Sequence, residues 1–249
     1  MPLLAVLAAA VAAALALARL ALLPPEAVRI AGVAAGQGAL LATALAWAGC
    51  GSRPGLVGVV LLACSAAAAT LGPPGALGYA SVPLWLAWRA RGGRLAGLGL
   101  CGPVPRTALL AGALAGAFLG GHLLVSASLT LGVRLRTDAG VAVLSALAYD
   151  LGANVPATEC FFRGALFNRA QRRWSFGAAL ALSTAACVAR YLLDPLLPKS
   201  VELVAGAAFY VTLLSGVNCW LFWWSGSLVP GLTAALLFFA AYRLLGTGA

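Results

Sequence analysis

Nine apolar stretches follow one another along this chain, most of them near the roughly 20 residues that a helix needs to cross the hydrocarbon core of a bilayer. They run from Leu3 to Leu23, Val28 to Ala48, Gly55 to Leu71, Leu77 to Trp88, Ala108 to Leu131, Val141 to Phe167, Phe176 to Leu193, Val201 to Trp224 and Leu228 to Leu245. The fourth is short and contains Pro83, so it could be tilted or re-entrant. The pattern lacks the alternating segments of an outer-membrane barrel. It predicts an all-α fold, a polytopic transmembrane bundle of eight or nine helices.

Composition agrees with a membrane protein and excludes other classes. Hydrophobic residues make up 63% of the chain and charged residues 9%, far from the roughly 25% charged residues of soluble domains. The net charge of +10 comes from arginines between apolar runs, where membrane orientation explains them better than nucleic acid does. We therefore expect a multi-pass protein of the cell membrane, with the lipid bilayer as a partner and no nucleic-acid partner.

Two turns concentrate arginine beside tryptophan. Their basic residues are Arg89, Arg91, Arg94 and Arg106 in one turn, and Arg169, Arg172 and Arg173 in the other. Nine crossings place both turns on one side, which the positive-inside rule makes cytoplasmic. Arg134 and Arg136 fall on the opposite side under the same count, in conflict with that rule. Tryptophans such as Trp88 and Trp174 adjoin the basic turns, where indole rings favour the headgroup level.

The spacing of the glycines predicts a packing face, and the spacing of the cysteines does not predict a metal site. Gly112, Gly116 and Gly120 recur every four residues in the fifth stretch, so that another helix can approach closely. The six cysteines are scattered without the close spacing of metal or redox motifs. We expect no metal site, no other cofactor and no disulfide framework. Ser183 and Thr184 are expected to bond to their own preceding helical turn.

Two opposite charges in the sixth stretch give the main candidate site. Glu159 and Arg163 are four residues apart in the favoured acid-first order, and ionisable groups at membrane depth are costly and commonly functional. They could be a structural lock, or Arg163 could orient a carboxylate that activates water. Pro156 is expected to bend the helix beside the acid. His122, the single histidine, is either a hydrogen-bonding core residue or a base facing Glu159.

Three segments, in order, resemble one known family. "TECFFRGALFNRAQRRW" resembles a motif of two glutamates followed by phenylalanine, arginine and glycine; "FGAALALSTAACVARY" resembles a helix with a phenylalanine and a histidine four residues apart; and "WWSGSLVPGLTAALLFF" resembles the turn that leads to a final histidine and asparagine. Together they are similar to the CAAX prenyl-protease and bacteriocin-processing (CPBP) family of intramembrane glutamic peptidases. The resemblance implies residues 1–97 as added transmembrane helices and 98–249 as the protease-like core.

The resemblance also implies roles that this chain departs from. In the family, the first glutamate and the second-motif histidine activate water, and the last histidine and asparagine support the oxyanion. The first glutamate position is Thr158 here, and Glu159 occupies the second. The positions of the second motif are Cys187 and Tyr191, and those of the third are Ala234 and Phe238; a shift by one residue places Arg190 at the histidine position.

Three functions remain open from the sequence. The chain could be a non-catalytic relative that binds hydrophobic, lipidated or transmembrane peptide segments, which the lost motif residues favour. It could be an active peptidase with Glu159, Arg163 and His122 as catalytic residues. It could also be a small transporter or channel, although the sequence lacks the matching interrupted halves of such proteins.

Overall fold

A computed structural model of the chain describes residues 22–132, 140–192 and 201–245, with scattered residues between 5 and 20. The predicted span Leu3 to Leu23 lies mostly outside the described residues, as do Arg134 and Arg136. The main helices are α1 (Pro25–Gly32), α2 (Gly38–Trp47), α3 (Ser52–Ala68), α4 (Ser81–Arg91), α5 (Arg106–Leu131), α6 (Gly140–Tyr149), α7 (Val155–Glu159), α8 (Phe176–Leu192), α9 (Val201–Ser225) and α10 (Val229–Arg243). Within the described ranges there is no β-strand, so the predicted all-α fold is confirmed.

Several helices have the length and composition of membrane spans. In the described part of the chain, four are long and apolar enough to cross a membrane: Glu26–Trp47, Ser52–Leu71, Arg106–Thr130 and Val204–Ser225. Helices α8 and α10 are apolar but shorter. The first of the four spans joins α1 and α2 through a π-helical segment, Val33–Gln37.

The chain forms two compact units. The first contains Met1–Gly97 and Ala139–Phe161, and the second contains Leu98–Asp138 and Phe162–Ala249. The sequence predicts added transmembrane helices in residues 1–97 and a protease-like core in residues 98–249. The two compact units do not test where that core begins, so this division stays a prediction.

In the first unit, α2 and α3 form a helical hairpin, and α7 packs against α2. The π-helical segment Val33–Gln37 meets a second one, Asp150–Asn154, which follows α6. A hydrogen bond of 3.0 Å from Gln37 Nε2 to the Tyr149 hydroxyl joins the two regions. Gln37, Asp150 and Asn154 are buried polar residues of these irregular turns, where freed backbone groups and polar side chains can satisfy one another.

In the second unit, α10 packs on α5 and α9, and α9 packs on α8. A Cβ atom placed on Gly112 or Gly116 would clash with the backbone of Pro230 or Ala234 in α10. The glycine stripe is therefore the contact face of α5, as predicted. Asn218 of α9 donates to the Gly231 carbonyl of α10 at 3.2 Å, which adds a polar link between these helices.

Candidate functional site

The candidate site is carried by one continuous run of helical residues, 140–170, which we call the motif helix. It changes from α6 to the π-helical segment Asp150–Asn154, then to α7, and then to a second π-helical segment, Cys160–Phe167. In a π-helix the i→i+4 hydrogen bonds are replaced by i→i+5 bonds, and such turns are frequent at functional sites. The hydropathy of the sequence did not reveal them.

The part of the motif helix in the first unit buries a row of polar side chains. Asp150, Asn154 and Thr158, which recur at intervals of four, are each at least 96% buried, and Glu159 is 2% exposed. Asn154 Nδ2 donates to Asp150 Oδ1 at 3.1 Å. Pro156 lies in α7, directly after a π-helical segment, and local π-helical turns can re-satisfy backbone groups that a proline frees in a membrane helix.

Arg163 lies in the second unit and is the largest fully buried side chain there, with 2% of its surface exposed. Its Nη1 atom donates to the sulfur of Cys187 in α8 at 3.5 Å. Cys187 occupies the position of the family's second-motif phenylalanine, so the structure connects the first and second motif regions through a guanidinium and a thiol. The sequence does not predict this contact, because the two residues are 24 positions apart and lie on different helical segments.

Ser183 of α8 does not bond as predicted. Its hydroxyl donates to the Phe162 carbonyl at 2.7 Å instead of to its own preceding turn. Phe162 lies in the π-helical segment Cys160–Phe167, where the regular α-helical bonding pattern is lost. The prediction was wrong because a backbone acceptor on a neighbouring element competes with the local one. Gly164, in the same segment, allows close approach: a Cβ there would lie 3.1 Å from the Leu98 carbonyl.

His122 lies on the exposed face of α5, together with Phe118 and Val125 at helical spacing. Because α5 belongs to a candidate membrane span, this face meets lipid in a bilayer. A hydrogen bond of 2.7 Å joins His122 Nδ1 to the hydroxyl of Tyr210, which is buried in α9. Of the three predicted catalytic residues, Glu159 is in the first unit, and Arg163 and His122 are in the second. Their catalytic roles stay predictions.

We expect His122→Leu to change the free energy of unfolding by about 1 kcal/mol or less, because hydrogen bonds between membrane helices contribute about 0.6 kcal/mol on average and leucine suits a lipid-facing position. Tyr210→Phe should have a similarly small effect, and the double variant should cost little more than either single one. Reversible unfolding in mixed detergent micelles measures all three. A loss of several kcal/mol for His122→Leu would contradict this assignment.

Tyr191, at the position of the family's second-motif histidine, packs against two neighbouring side chains. The Tyr191 ring stacks on Phe239 of α10, with 6.1 Å between ring centroids. The Arg190 guanidinium lies 4.5 Å from the centroid of the same ring. Arg190 therefore packs on Tyr191 as a cation–π pair, and neither residue supplies the imidazole that the family uses as a base.

The third-motif positions are filled by close apolar packing. Ala234 has no exposed surface, and its backbone lies against Gly116 of α5. Phe238 is 4% exposed, and its ring centroid is 6.1 Å from that of Tyr210. An alanine methyl and a phenyl ring cannot donate a proton to a developing oxyanion. Within the described residues, no three or more histidine, cysteine or acidic side chains are grouped to hold a metal ion.

Comparison with known proteins supports the family resemblance. The family model described as "Type II CAAX prenyl endopeptidase Rce1-like" matches residues 140–240, from the first residue of α6 into α10. A search of curated proteins and a search of solved structures each found no match. The matched segment contains all three motif regions, and the apolar spans indicate a membrane protein. Over residues 140–240, the chain is therefore similar to the Rce1-like CAAX prenyl endopeptidases.

Proposed function

We propose that this protein is a non-catalytic CPBP relative, a multi-pass protein of the cell membrane that binds prenylated or other hydrophobic membrane segments. The loss of catalysis is supported best by the alanine at position 234. It occupies the family's third-motif histidine position, is fully buried and lies against Gly116. An alanine methyl at that position cannot donate a proton to a developing oxyanion.

The first-motif region supports a binding role. Thr158 replaces the family's first glutamate, is 4% exposed, and its hydroxyl has no hydrogen-bond partner within the described residues. A buried hydroxyl without a partner costs free energy. The carbonyl of a bound peptide would offset that cost, whereas a neutral hydroxyl in place of a carboxylate removes the group that takes a proton from water.

The test is photo-crosslinking of a photoreactive peptide with a prenylated C-terminal cysteine to the protein in nanodiscs. The prenylated peptide should label the protein more strongly than the same peptide without the lipid. Thr158→Val, which keeps the shape of the side chain, should weaken binding by about fivefold, the effect of losing one hydrogen bond of about 1 kcal/mol.

Thr212→Val is the matched control, because the Thr212 hydroxyl is exposed and bonds to Ala208 of its own helix. It should leave labelling unchanged. Equal labelling by lipidated and unlipidated peptides would contradict the proposal, and so would equal binding by wild type and Thr158→Val.

A further inference from the structure

One end of the first unit gathers arginine and tryptophan around a turn at the membrane surface. Two candidate spans, Glu26–Trp47 and Ser52–Leu71, are joined there by residues 48–51. The loop that follows α4 is fixed to this turn, because the Cys50 thiol donates to the Arg94 carbonyl at 3.1 Å. A Cβ on Gly97 would lie 2.9 Å from the Ala48 carbonyl. The end of α4 and its loop therefore lie at the same surface as the turn.

Two of the arginines are held against tryptophan rings. The Arg89 guanidinium lies 5.7 Å from the Trp85 ring, and that of Arg94 lies 5.9 Å from the Trp88 ring. Trp88 is 61% exposed, and Arg94 is also exposed. An exposed indole at the end of a membrane helix favours the headgroup level. Arg53, at the start of α3, adds a third cation at this end, and its side chain is exposed.

These cations lack acidic neighbours in the sequence. No aspartate or glutamate occurs between Glu26 and Asp138, so nothing in that stretch neutralises them. The Nε atom of Arg89 is buried and has no hydrogen-bond partner within the described residues. Favourable charge at a helix C-terminus accounts for the position of Arg89, but not for Arg94 beyond the helix or for a buried N–H without an acceptor.

We propose that Arg53, Arg89 and Arg94, with Trp85 and Trp88, form a binding site for the headgroup of an anionic phospholipid. A guanidinium donates two parallel hydrogen bonds to phosphate oxygens, and stacking on an indole leaves its edge free to do so. Basic clusters beside membrane helices recognise anionic headgroups in this way. A lipid phosphate at this level would accept from Arg89 and neutralise charges for which residues 27–137 supply no acidic side chain.

The test is native mass spectrometry of the detergent-purified protein with added phosphatidylglycerol or phosphatidylcholine. Wild type should bind phosphatidylglycerol more tightly, and high salt should reduce that preference. The double variant Arg89→Gln/Arg94→Gln should lose roughly fivefold in affinity for each arginine, which corresponds to about 1 kcal/mol per basic side chain. Inorganic phosphate should not compete, because a free ion lacks the acyl chains that place the headgroup beside Trp88.

The control is Arg172→Gln/Arg173→Gln, which removes the same charge from two exposed arginines in the second unit. It should keep the phosphatidylglycerol affinity of wild type. Equal affinity of wild type for the two lipids would overturn the proposal without relying on any variant. Equal loss in both double variants would also overturn it, because the effect would then reflect net charge. Competition by inorganic phosphate would also overturn the proposal, because the site would then bind a free anion rather than a lipid headgroup.

Discussion

Replacing Gly116 by alanine should destabilise the protein by at least about 2 kcal/mol, within the range of overpacked cores. The added methyl would clash with the backbone of Ala234, and a backbone atom in the middle of a helix cannot move aside as a flexible side chain can. Helices α5 and α10 would have to separate along their whole contact. Reversible unfolding in mixed micelles, followed by tryptophan fluorescence, measures the loss.

Gly121→Ala is the matched control for Gly116→Ala. It makes the same chemical change in the same helix, but a Cβ on Gly121 has no neighbouring atom within 4 Å. Alanine is the better helix former by up to about 1 kcal/mol, so this variant should be unchanged or slightly more stable. Equal destabilisation by both variants would contradict the close contact of α5 with α10.

Removing either charge of the motif helix should cost about 3 to 5 kcal/mol, the usual result of leaving a buried charge without its counter-charge. Arg163 and Glu159 are each 2% exposed, and their spacing predicts an i,i+4 pair. Glu159→Gln and Arg163→Met should each destabilise strongly. The double variant should cost less than the sum of the two, because each single variant leaves one buried charge that the double variant lacks.

A double-mutant cycle with the same unfolding measurement gives this coupling free energy. Arg172→Met is the control, since Arg172 is exposed on the following turn and an exposed charge contributes little. Additive losses for Glu159→Gln and Arg163→Met would show that the two charges are stabilised independently, and the predicted pair would be wrong.

The sequence predicted the features that depend on local periodicity. Apolar runs of spanning length predicted an all-α membrane fold, and the four-residue spacing of Gly112, Gly116 and Gly120 predicted the contact face of α5. Each of these depends on which face of one helix carries small or polar groups, and the sequence determines that directly.

Features that depend on a choice between competing hydrogen-bond partners could not be predicted. Hydropathy does not distinguish the two π-helical turns of the motif helix from α-helix, because it reports polarity and not the hydrogen-bond pattern of the backbone. Ser183 bonds to Phe162 rather than to its own helix, and Arg163 meets a cysteine from another helix. His122 bonds to Tyr210 of another helix, and its role as a base stays a prediction. Such contacts are set by tertiary packing.

We propose that a scaffold similar to that of the family persists here without its peptidase chemistry. The most direct measurement is mass-spectrometric detection of cleavage products after the purified protein, in nanodiscs, is incubated with the prenylated peptide proposed as its ligand. We predict intact peptide with wild type and with Glu159→Gln alike, under conditions where crosslinking shows that wild type is occupied. A product formed by wild type and absent with Glu159→Gln would contradict the account and establish Glu159 as a catalytic residue.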